Sequence, residues 1–356
     1  MDIITGGSLK KNKMENKTVG FIGGKYLPFH QGHIYTIMDA SNQVDELYVI
    51  VSSSKNRDRE LCERDGIKYI PADVRLSWIG ESLNNLENVK IIHIEDDQWD
   101  KDYNWEKGAE MIKKAIGKPI DFVFSSEHSY DEIFKKYYPN SKHIVIDDKR
   151  KTVTTSATDL RINLYDNWDK LPNTVRSYFT KRVAIVGTES CGKSTLTKKL
   201  AKFYNTEFVQ EVGRDYCDKY KNQLTVEMFD KIAMEHFLLQ DKKAETSNKV
   251  LFVDSEAVIT QYYLDMYFNG ERSNLIDEIA KKQKYDLVIY LEPDVKWVPD
   301  GLRNKGEKEV RMKNNEILKQ MYKDRGIDFV TISGNYKERF DSARSLVNKL
   351  FEKTKE

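Results

Sequence analysis

The 356-residue sequence has little cysteine, little proline and no excess of charge of either sign. Lysine and arginine number 58 and aspartate and glutamate 57, so a basic surface that coats nucleic acid is not expected. Cys62, Cys191 and Cys217 lack the spacing of a zinc ribbon or a disulfide framework, which favours a reducing cytoplasm. No run approaches the roughly 20 apolar residues that span a bilayer, and residues 1–17 lack the apolar core of a signal peptide. We therefore expect a cytoplasmic protein whose anionic ligands are small.

Short β-rich runs recur along the chain and are separated by longer helical patterns. Near-continuous apolar strands that alternate with helices predict parallel sheets covered on both faces. The length suits two domains, and the strand pattern restarts at Arg182, so we expect a flexible tail over residues 1–17, one α/β domain over 18–176 and another over 177–356. The expected strands are Val19–Ile22, Leu47–Val51, Val89–Ile92, Phe122–Phe124, His143–Ile146, Arg182–Val186, Glu207–Gln210, Val250–Val253, Leu287–Leu291 and Phe329–Ile332.

The first predicted strand leads into the motif Gly24–His33, GKYLPFHQGH. Its glycine lets the backbone approach a phosphate chain, and His30 and His33 are spaced so that both imidazoles can face one ligand from an opening helix. Two histidines at this spacing also occur on ordinary helix faces and in metal pairs. The run resembles the GxFxPxHxGH signature of the nucleotidyltransferase superfamily, with Tyr26 where phenylalanine is common.

A second element of that superfamily is expected near the end of the domain, and Thr155–Arg161 resembles its ISSTxxR motif, although Thr154 and Thr155 replace the usual isoleucine and serine. The alternative for this segment alone is a plain helix N-cap. The resemblance implies adenylyl transfer from ATP, with Lys25, His30, His33 and Arg161 as catalytic residues. The ATP-binding residues it implies are Gly23, Gly24, Lys25, His30, His33, Ser126, Ser156, Thr158 and Arg161.

A phosphate-binding loop, GTESCGKS, spans Gly187–Ser194 between a predicted strand and a predicted helix. In such a loop the backbone N–H groups surround phosphates, Lys193 reaches the β and γ oxygens, and Ser194 places a hydroxyl on Mg²⁺. The loop therefore predicts a second ATP site. Its residues are Gly187, Thr188, Glu189, Ser190, Cys191, Gly192, Lys193, Ser194 and Thr195.

Acidic residues follow two later strands of the second domain. Asp254 ends an apolar strand, as expected of an aspartate that positions Mg²⁺, although a strand can also end in Asp as a turn residue. Glu211, Arg214 and Asp215 follow Glu207–Gln210, where small-molecule kinases commonly hold the phosphoryl acceptor. Glu211, Asp215 and Asp254 all stay open as the group that deprotonates a substrate hydroxyl.

Two further regions are candidates for ligand contacts. Residues 296–306 predict a mobile lid, in which Trp297 and Asp300 contact the substrate and Arg303 closes on the phosphoryl group together with Arg311. The alternative is a solvated charged loop. In the first domain Trp105, preferred over Trp99, offers an aromatic face for a pyridine ring, and the alternative is a buried tryptophan.

Taken together, the two motif sets resemble the bifunctional nicotinamide-mononucleotide adenylyltransferase and ribosylnicotinamide kinase of bacteria, the NadR family, over nearly the whole chain from about Thr18. The resemblance implies a Rossmann-like nucleotidyltransferase domain followed by a P-loop kinase domain, both with parallel sheets. It implies that the kinase phosphorylates nicotinamide riboside to the mononucleotide (NMN) and that the transferase converts NMN to NAD, with ATP and Mg²⁺.

Some members of this family carry a repressor helix-turn-helix, but seventeen polar residues leave no room for one, so no nucleic-acid partner is expected. Homo-oligomerisation and coupling to a riboside transporter are further expectations. Two alternatives share the motifs: a P-loop kinase fused to a nucleotidyltransferase for another acceptor, such as pantetheine phosphate, and a sensor of NAD or ATP coupled to a transporter. A flavin kinase fusion is disfavoured because its kinase domain lacks a phosphate loop.

Overall fold

The computed structural model describes residues 17–96, 104–295 and 308–352. The chain divides into two compact units between Lys170 and Leu171, a few residues before the boundary expected from the sequence. A short helix that follows the division, Asn173–Phe179, belongs to the second unit and packs against a long helix of that unit, Val226–Thr246. Among the described residues, no helix is both long and apolar enough to cross a bilayer.

The first unit is a five-stranded sheet with helices between successive strands. Its strands pair in parallel in the order β3-β2-β1-β4-β5, so the order reverses between β1 and β4. In sheets of this kind ligands bind at that reversal, outside the carboxyl ends of the strands. The elements are β1 Val19–Gly24, α1 Gln31–Ser41, β2 Glu46–Ser53, α2 Lys55–Arg64, α3 Ala72–Ser82, β3 Val89–Glu95, α4 Trp105–Ile116, β4 Phe122–Ser125, α5 Asp131–Tyr137, β5 Lys142–Val145 and α6 Ala157–Ile162, with single 3₁₀ turns at His128–Tyr130 and Trp168–Lys170.

The second unit is also a five-stranded parallel sheet, in the order β10-β9-β6-β8-β7. The central strands β6 and β8 bring Ile185 opposite Asp254, so the segments after these strands lie side by side. The elements are α7 Asn173–Phe179, β6 Lys181–Val186, α8 Lys193–Tyr204, β7 Phe208–Val209, α9 Val212–Tyr220, α10 Val226–Thr246, β8 Val250–Asp254, α11 Ala257–Tyr267, α12 Asn274–Lys282, β9 Leu287–Leu291, α13 Lys308–Asp324, β10 Val330–Ile332 and α14 Tyr336–Lys349.

The apolar runs of the sequence form these sheets because both faces of each sheet are covered. All five residues of β8 are buried, and its alternate side chains belong to different clusters. One cluster on the second sheet joins α10, α11, α12 and α13, and another joins α8 and α14. The expected α/β fold with two parallel sheets is thus confirmed, and the expected strands match the observed ones to within a few residues.

Candidate active sites

His30 and His33 form the first turn of α1, at the end of the loop that follows β1. His30 is the N-cap residue: its Nδ1 accepts a hydrogen bond from Gly32 N at 3.1 Å, and His33 Nδ1 accepts one from His30 N at 3.3 Å. The two rings stack with their centroids 3.7 Å apart. The i,i+3 spacing therefore builds a reciprocal capping box from two histidines.

These hydrogen bonds define the chemistry of the pair. Because each Nδ1 acts as an acceptor, the proton of each neutral ring lies on Nε2, which is then a donor. Burial and, to a lesser extent, the charge of Arg150 lower the pKa of His30 to about 3, against the opposing effect of Asp159. Burial, His30 and Arg150 also hold the pKa of His33 well below its usual value. At neutral pH the site therefore presents two uncharged N–H donors beside the cation Arg150.

Lys25 is held by a buried charge network that sequence reasoning missed. Its Nζ lies 2.6 Å from Asp58 Oδ1, and Arg75 Nη2 lies 2.7 Å from Asp58 Oδ2. Arg75 also donates to the carbonyl oxygen of Lys25 at 2.7 Å. Asp58 and Arg75 are fully buried, so together they fix both the backbone and the side chain of the lysine. A lone Asp on α2 and a lone Arg on α3 carry no sequence signal for this role.

The Thr155–Arg161 element lies beside the histidine loop. Ser156 is the N-cap of α6, since its Oγ accepts from Asp159 N at 3.0 Å. Arg161 donates through Nη1 to the carbonyl oxygen of Leu27 at 2.7 Å and through Nε to Asp65 at 2.6 Å. Its Nη2 lies 3.1 Å from Thr158 Oγ1. The structure thus brings this element to the predicted loop, while phosphate binding by Ser156, Thr158 and Arg161 stays a prediction.

The remaining predicted residues of the first unit lie at the ends of strands and at the start of a helix. Gly23 and Gly24 end β1, and Ser126 follows β4 as a half-buried residue. Trp105 begins α4 and is half-buried, with its ring centroid 5.5 Å from that of Tyr130 and another aromatic contact to Phe134. Trp99 lies outside the described residues.

The phosphate loop of the second unit has the backbone that its glycines predict. Gly187 has φ 141° and Gly192 has φ 90°, and Ser190 is also left-handed. A β-carbon on Gly187 would lie 2.7 Å from the carbonyl oxygen of Leu291, so only glycine fits there. Lys193 begins α8, is buried, and donates to the carbonyl oxygen of Thr188 at 3.1 Å. Glu189, Cys191, Ser194 and Thr195 complete the loop and the first turn of α8.

Asp254 lies at the end of β8, next to this loop. Its side chain is hydrogen-bonded by Ser194, while its buried Oδ1 has no partner within the described residues. Burial and, to a lesser extent, the charge of Glu211 raise the pKa of Asp254 to about 6, while Lys193 opposes the shift. A buried carboxylate oxygen with an open valence beside a serine hydroxyl fits the oxygen ligand set that Mg²⁺ prefers.

A cavity of about 870 Å³, counting the solvent space at its mouth, adjoins the loop. Glu189 and Lys193 border it on the loop side, and Glu211 and Arg214 border it from the start of α9. Asp215 does not line this cavity; it accepts a hydrogen bond from Gln210 at 2.6 Å instead.

Sequence reasoning missed the opposite wall of the cavity, which α10 and α11 supply. His236, Glu256, Tyr263 and Tyr267 line it. The hydroxyl of Tyr267 donates a hydrogen bond to Glu189 Oε1 at 3.2 Å. The ring of Tyr267 stacks on that of Tyr263, with the ring centroids 5.9 Å apart. Glu256 caps α11 and hydrogen-bonds the hydroxyl of Tyr322. Of these four residues, only Glu256 carries a sequence signal: it lies two residues after Asp254, the end of the apolar strand.

The predicted lid, residues 296–306, lies outside the described residues together with Trp297, Asp300 and Arg303. Arg311 is described on α13, where both terminal nitrogens donate to the carbonyl oxygen of Val295, at 3.3 and 3.4 Å. Arg339 on α14 was not predicted, yet its buried guanidinium donates to the carbonyl oxygens of Cys191 and Glu292 and to Asp294. It therefore fastens α14 to the phosphate loop.

Fold and sites define a class: a nucleotidyltransferase joined to a P-loop kinase, both using ATP. A profile of the AAA domain matches residues 182–339. The trifunctional NAD biosynthesis/regulator protein NadR of Escherichia coli is 32% identical over 347 residues, which are 94% of this chain and 84% of that protein. The chain belongs to the NadR family.

Solved structures agree on the fold of both units. A NadR protein in complex with NR matches with a TM-score of 0.76 at 22% identity, over 94% of this chain and 96% of that one. A NadR protein in complex with NAD and AMP-PNP matches with a TM-score of 0.74 at 21% identity, over 96% of this chain and 98% of that one.

Proposed function

We propose that the second unit phosphorylates nicotinamide riboside with ATP and that the first unit adenylylates the resulting NMN to NAD. The observation that carries this proposal is that one chain of the NadR family holds both the histidine loop and the phosphate loop, two chemically different candidates for triphosphate binding. The solved NadR proteins are complexes with NR and with NAD and AMP-PNP, which supports the same ligands here. The product of the proposed kinase is the acceptor of the proposed transferase.

The kinase cavity suits a cationic nucleoside. Nicotinamide riboside carries a positive pyridinium ring, and the cavity offers the carboxylates Glu189 and Glu211 with the stacked rings of Tyr263 and Tyr267. Aromatic faces attract cations through the ring quadrupole, and nearby carboxylates add Coulomb attraction. Lys193 marks the side of the cavity at which the phosphoryl group arrives.

In the proposed phosphorylation, the 5′-hydroxyl oxygen of the riboside bonds to the γ-phosphorus as the bond to the ADP oxygen breaks. Ser194 and Asp254 would hold Mg²⁺, which neutralises phosphate charge when bound. Since neither Asp215 nor Asp254 lines the cavity and Glu211 does, we assign the hydroxyl proton to Glu211. Arg303 and Arg311 are proposed to close on the phosphoryl group, and Trp297, Asp300 and Arg214 to contact the riboside.

In the proposed adenylylation, a phosphate oxygen of NMN bonds to the α-phosphorus of ATP as pyrophosphate leaves. His30 and His33 donate their Nε2–H groups to phosphate oxygens, and Lys25 and Arg161 add positive charge. This needs no proton transfer to the histidines, which fits their lowered pKa values. Ser126, Ser156 and Thr158 are assigned to the triphosphate, and Trp105 to the pyridine ring.

A second candidate shares the kinase but uses another acceptor at the first site, since the histidine loop recognises ATP rather than the acceptor. A sensor of NAD or ATP coupled to a riboside transporter is the third. A cytoplasmic location, self-association and such transporter coupling belong to this proposal as well.

The test is a time course of purified protein with magnesium-ATP and nicotinamide riboside, in which riboside, NMN and dinucleotide are resolved. Accumulation of NAD supports both assignments. NMN alone supports the kinase and moves the first site to another acceptor, for which pantetheine phosphate is the first to try. The absence of both products, together with tight nucleotide binding, would favour the sensor.

A further inference from the structure

Tyr336 is an exposed aromatic residue at the start of α14 that the proposed reaction leaves unexplained. Its side chain remains 49% exposed, although it lies at the phosphate loop. A β-carbon built on Gly192 would lie 3.4 Å from its ring atom Cε1, and Lys199 Nζ lies 5.6 Å from its ring centroid. A large ring held in solvent beside a phosphate site has a free surface for a planar ligand.

The position of this ring is fixed by the fold. Asn335 caps α14 in a reciprocal capping box with Glu338, and Gly334 has the left-handed φ of 97° that only glycine adopts readily. Arg339, one turn after Tyr336, donates to Cys191 of the phosphate loop. Helix α14 therefore cannot shift against the loop without breaking buried hydrogen bonds, and Tyr336 keeps its register with Gly192.

The geometry of the reaction places the purine on this side. The γ-phosphate must face the acceptor cavity, which lies among the loop, α9, α10 and α11. Helix α14 packs instead with α8 on the other face of the sheet. Since the nucleoside of ATP extends away from its γ-phosphate, a base that leaves the loop on the α14 side would meet the ring of Tyr336.

We propose that Tyr336 is the stacking surface for the purine base of the ATP that occupies the phosphate loop. This inference rests on the proposed kinase activity and adds a residue that sets its nucleotide specificity. A flat ring binds any base, but it binds the larger surface of a purine more strongly than that of a pyrimidine.

Three variants of the full chain test it, with KM for ATP measured in riboside phosphorylation. Tyr336→Leu keeps an apolar side chain and removes the ring, so KM should rise about fivefold or more, the factor expected for one base stacked on one aromatic side chain. Tyr336→Phe keeps the ring and should stay within about twofold of the unaltered protein. Phe203→Leu is the matched control, because Phe203 is 54% exposed on α8 but contacts Phe340 and Arg344 instead of the loop.

The ratio of KM for CTP to KM for ATP distinguishes loss of base stacking from a general structural effect. This ratio should fall in Tyr336→Leu and stay unchanged in Tyr336→Phe and Phe203→Leu. An unchanged KM in Tyr336→Leu, or an equal loss for ATP and CTP, would overturn the proposal. If the unaltered chain does not phosphorylate the riboside, the acceptor assignment fails, and titration of the same variants with AMP-PNP decides the role of Tyr336.

Discussion

The centroids of the His30 and His33 imidazole rings lie 3.7 Å apart. Both rings use Nδ1 to accept hydrogen bonds from backbone N–H groups of the same helix turn. One pair of side chains thus caps the start of a helix and leaves both Nε2–H groups for a ligand. The structural role and the chemical role use different nitrogens, so a substitution can separate them.

His30→Asn should separate these roles, because asparagine is a strong N-cap residue but lacks the distant Nε2 donor. We expect a folded protein in which adenylylation of NMN falls about 100-fold, the usual loss for one donor to a charged transition state. Riboside phosphorylation by the same preparation is the internal control. An adenylylation rate close to that of the unaltered chain would show that Nε2 of His30 does not contribute.

Acid should destabilise the first unit through the same pair. Burial lowers the folded-state pKa of His30 to about 3 and that of His33 in the same direction, so between the ordinary histidine pKa of about 6.5 and pH 3 the unfolded chain binds more protons. The contribution of the two histidines to the free energy of unfolding is therefore fully present above about pH 6.5 and is lost as the pH falls below that value. Urea midpoints of the full chain at pH 7 and pH 5 should differ less in a His30→Asn, His33→Asn double variant.

The sheets could be predicted from the sequence because buried parallel strands are continuous apolar runs, as in Val250–Asp254. The histidine and phosphate loops could be predicted because their residues are close in the chain. Arg75 and Arg339 could not, since each contacts a loop 50 or more residues away and each lies in a helix whose pattern suits a solvated arginine. Their burial depends on tertiary packing, which periodicity does not record.

Asp58→Asn should strongly destabilise the first unit. The substitution removes the carboxylate that pairs with fully buried Arg75, and breaking one partner of a buried ion pair typically costs about 3 to 5 kcal/mol. The free energy of unfolding from urea titration is the measurement. Arg64→Ala is the control, since Arg64 pairs with Asp65 from an exposed position, and its loss should destabilise the unit far less. Equal effects of the two variants would contradict a structural role for the Asp58–Arg75 pair.

Gly187→Ala should abolish the kinase activity through a clash. The new β-carbon would lie 2.7 Å from the carbonyl oxygen of Leu291 and 2.9 Å from Cys191 Sγ, so either the loop or β9 must move. Gly270→Ala is the matched control: Gly270 also has positive φ, at 91°, but no atom lies within 4 Å of its β-carbon. It should cost only the backbone strain of about 1 kcal/mol and keep the kinase activity. A Gly187→Ala chain that phosphorylates normally would show that the loop tolerates the displacement.

Lys193→Met and His33→Ala should block opposite steps of the proposed sequence. Lys193 is the buried cation of the phosphate loop, and methionine keeps most of its volume without the charge, so phosphorylation should fall at least 100-fold while NMN supplied directly is still converted to NAD. His33→Ala should instead accumulate NMN from the riboside.

Mixing the two variants should then restore NAD formation from riboside, because NMN released by one chain is a substrate for the other. Failure of the mixture, with each chain retaining its single activity, would mean that NMN is not released between the steps. Loss of both activities in either folded variant would contradict two separate sites.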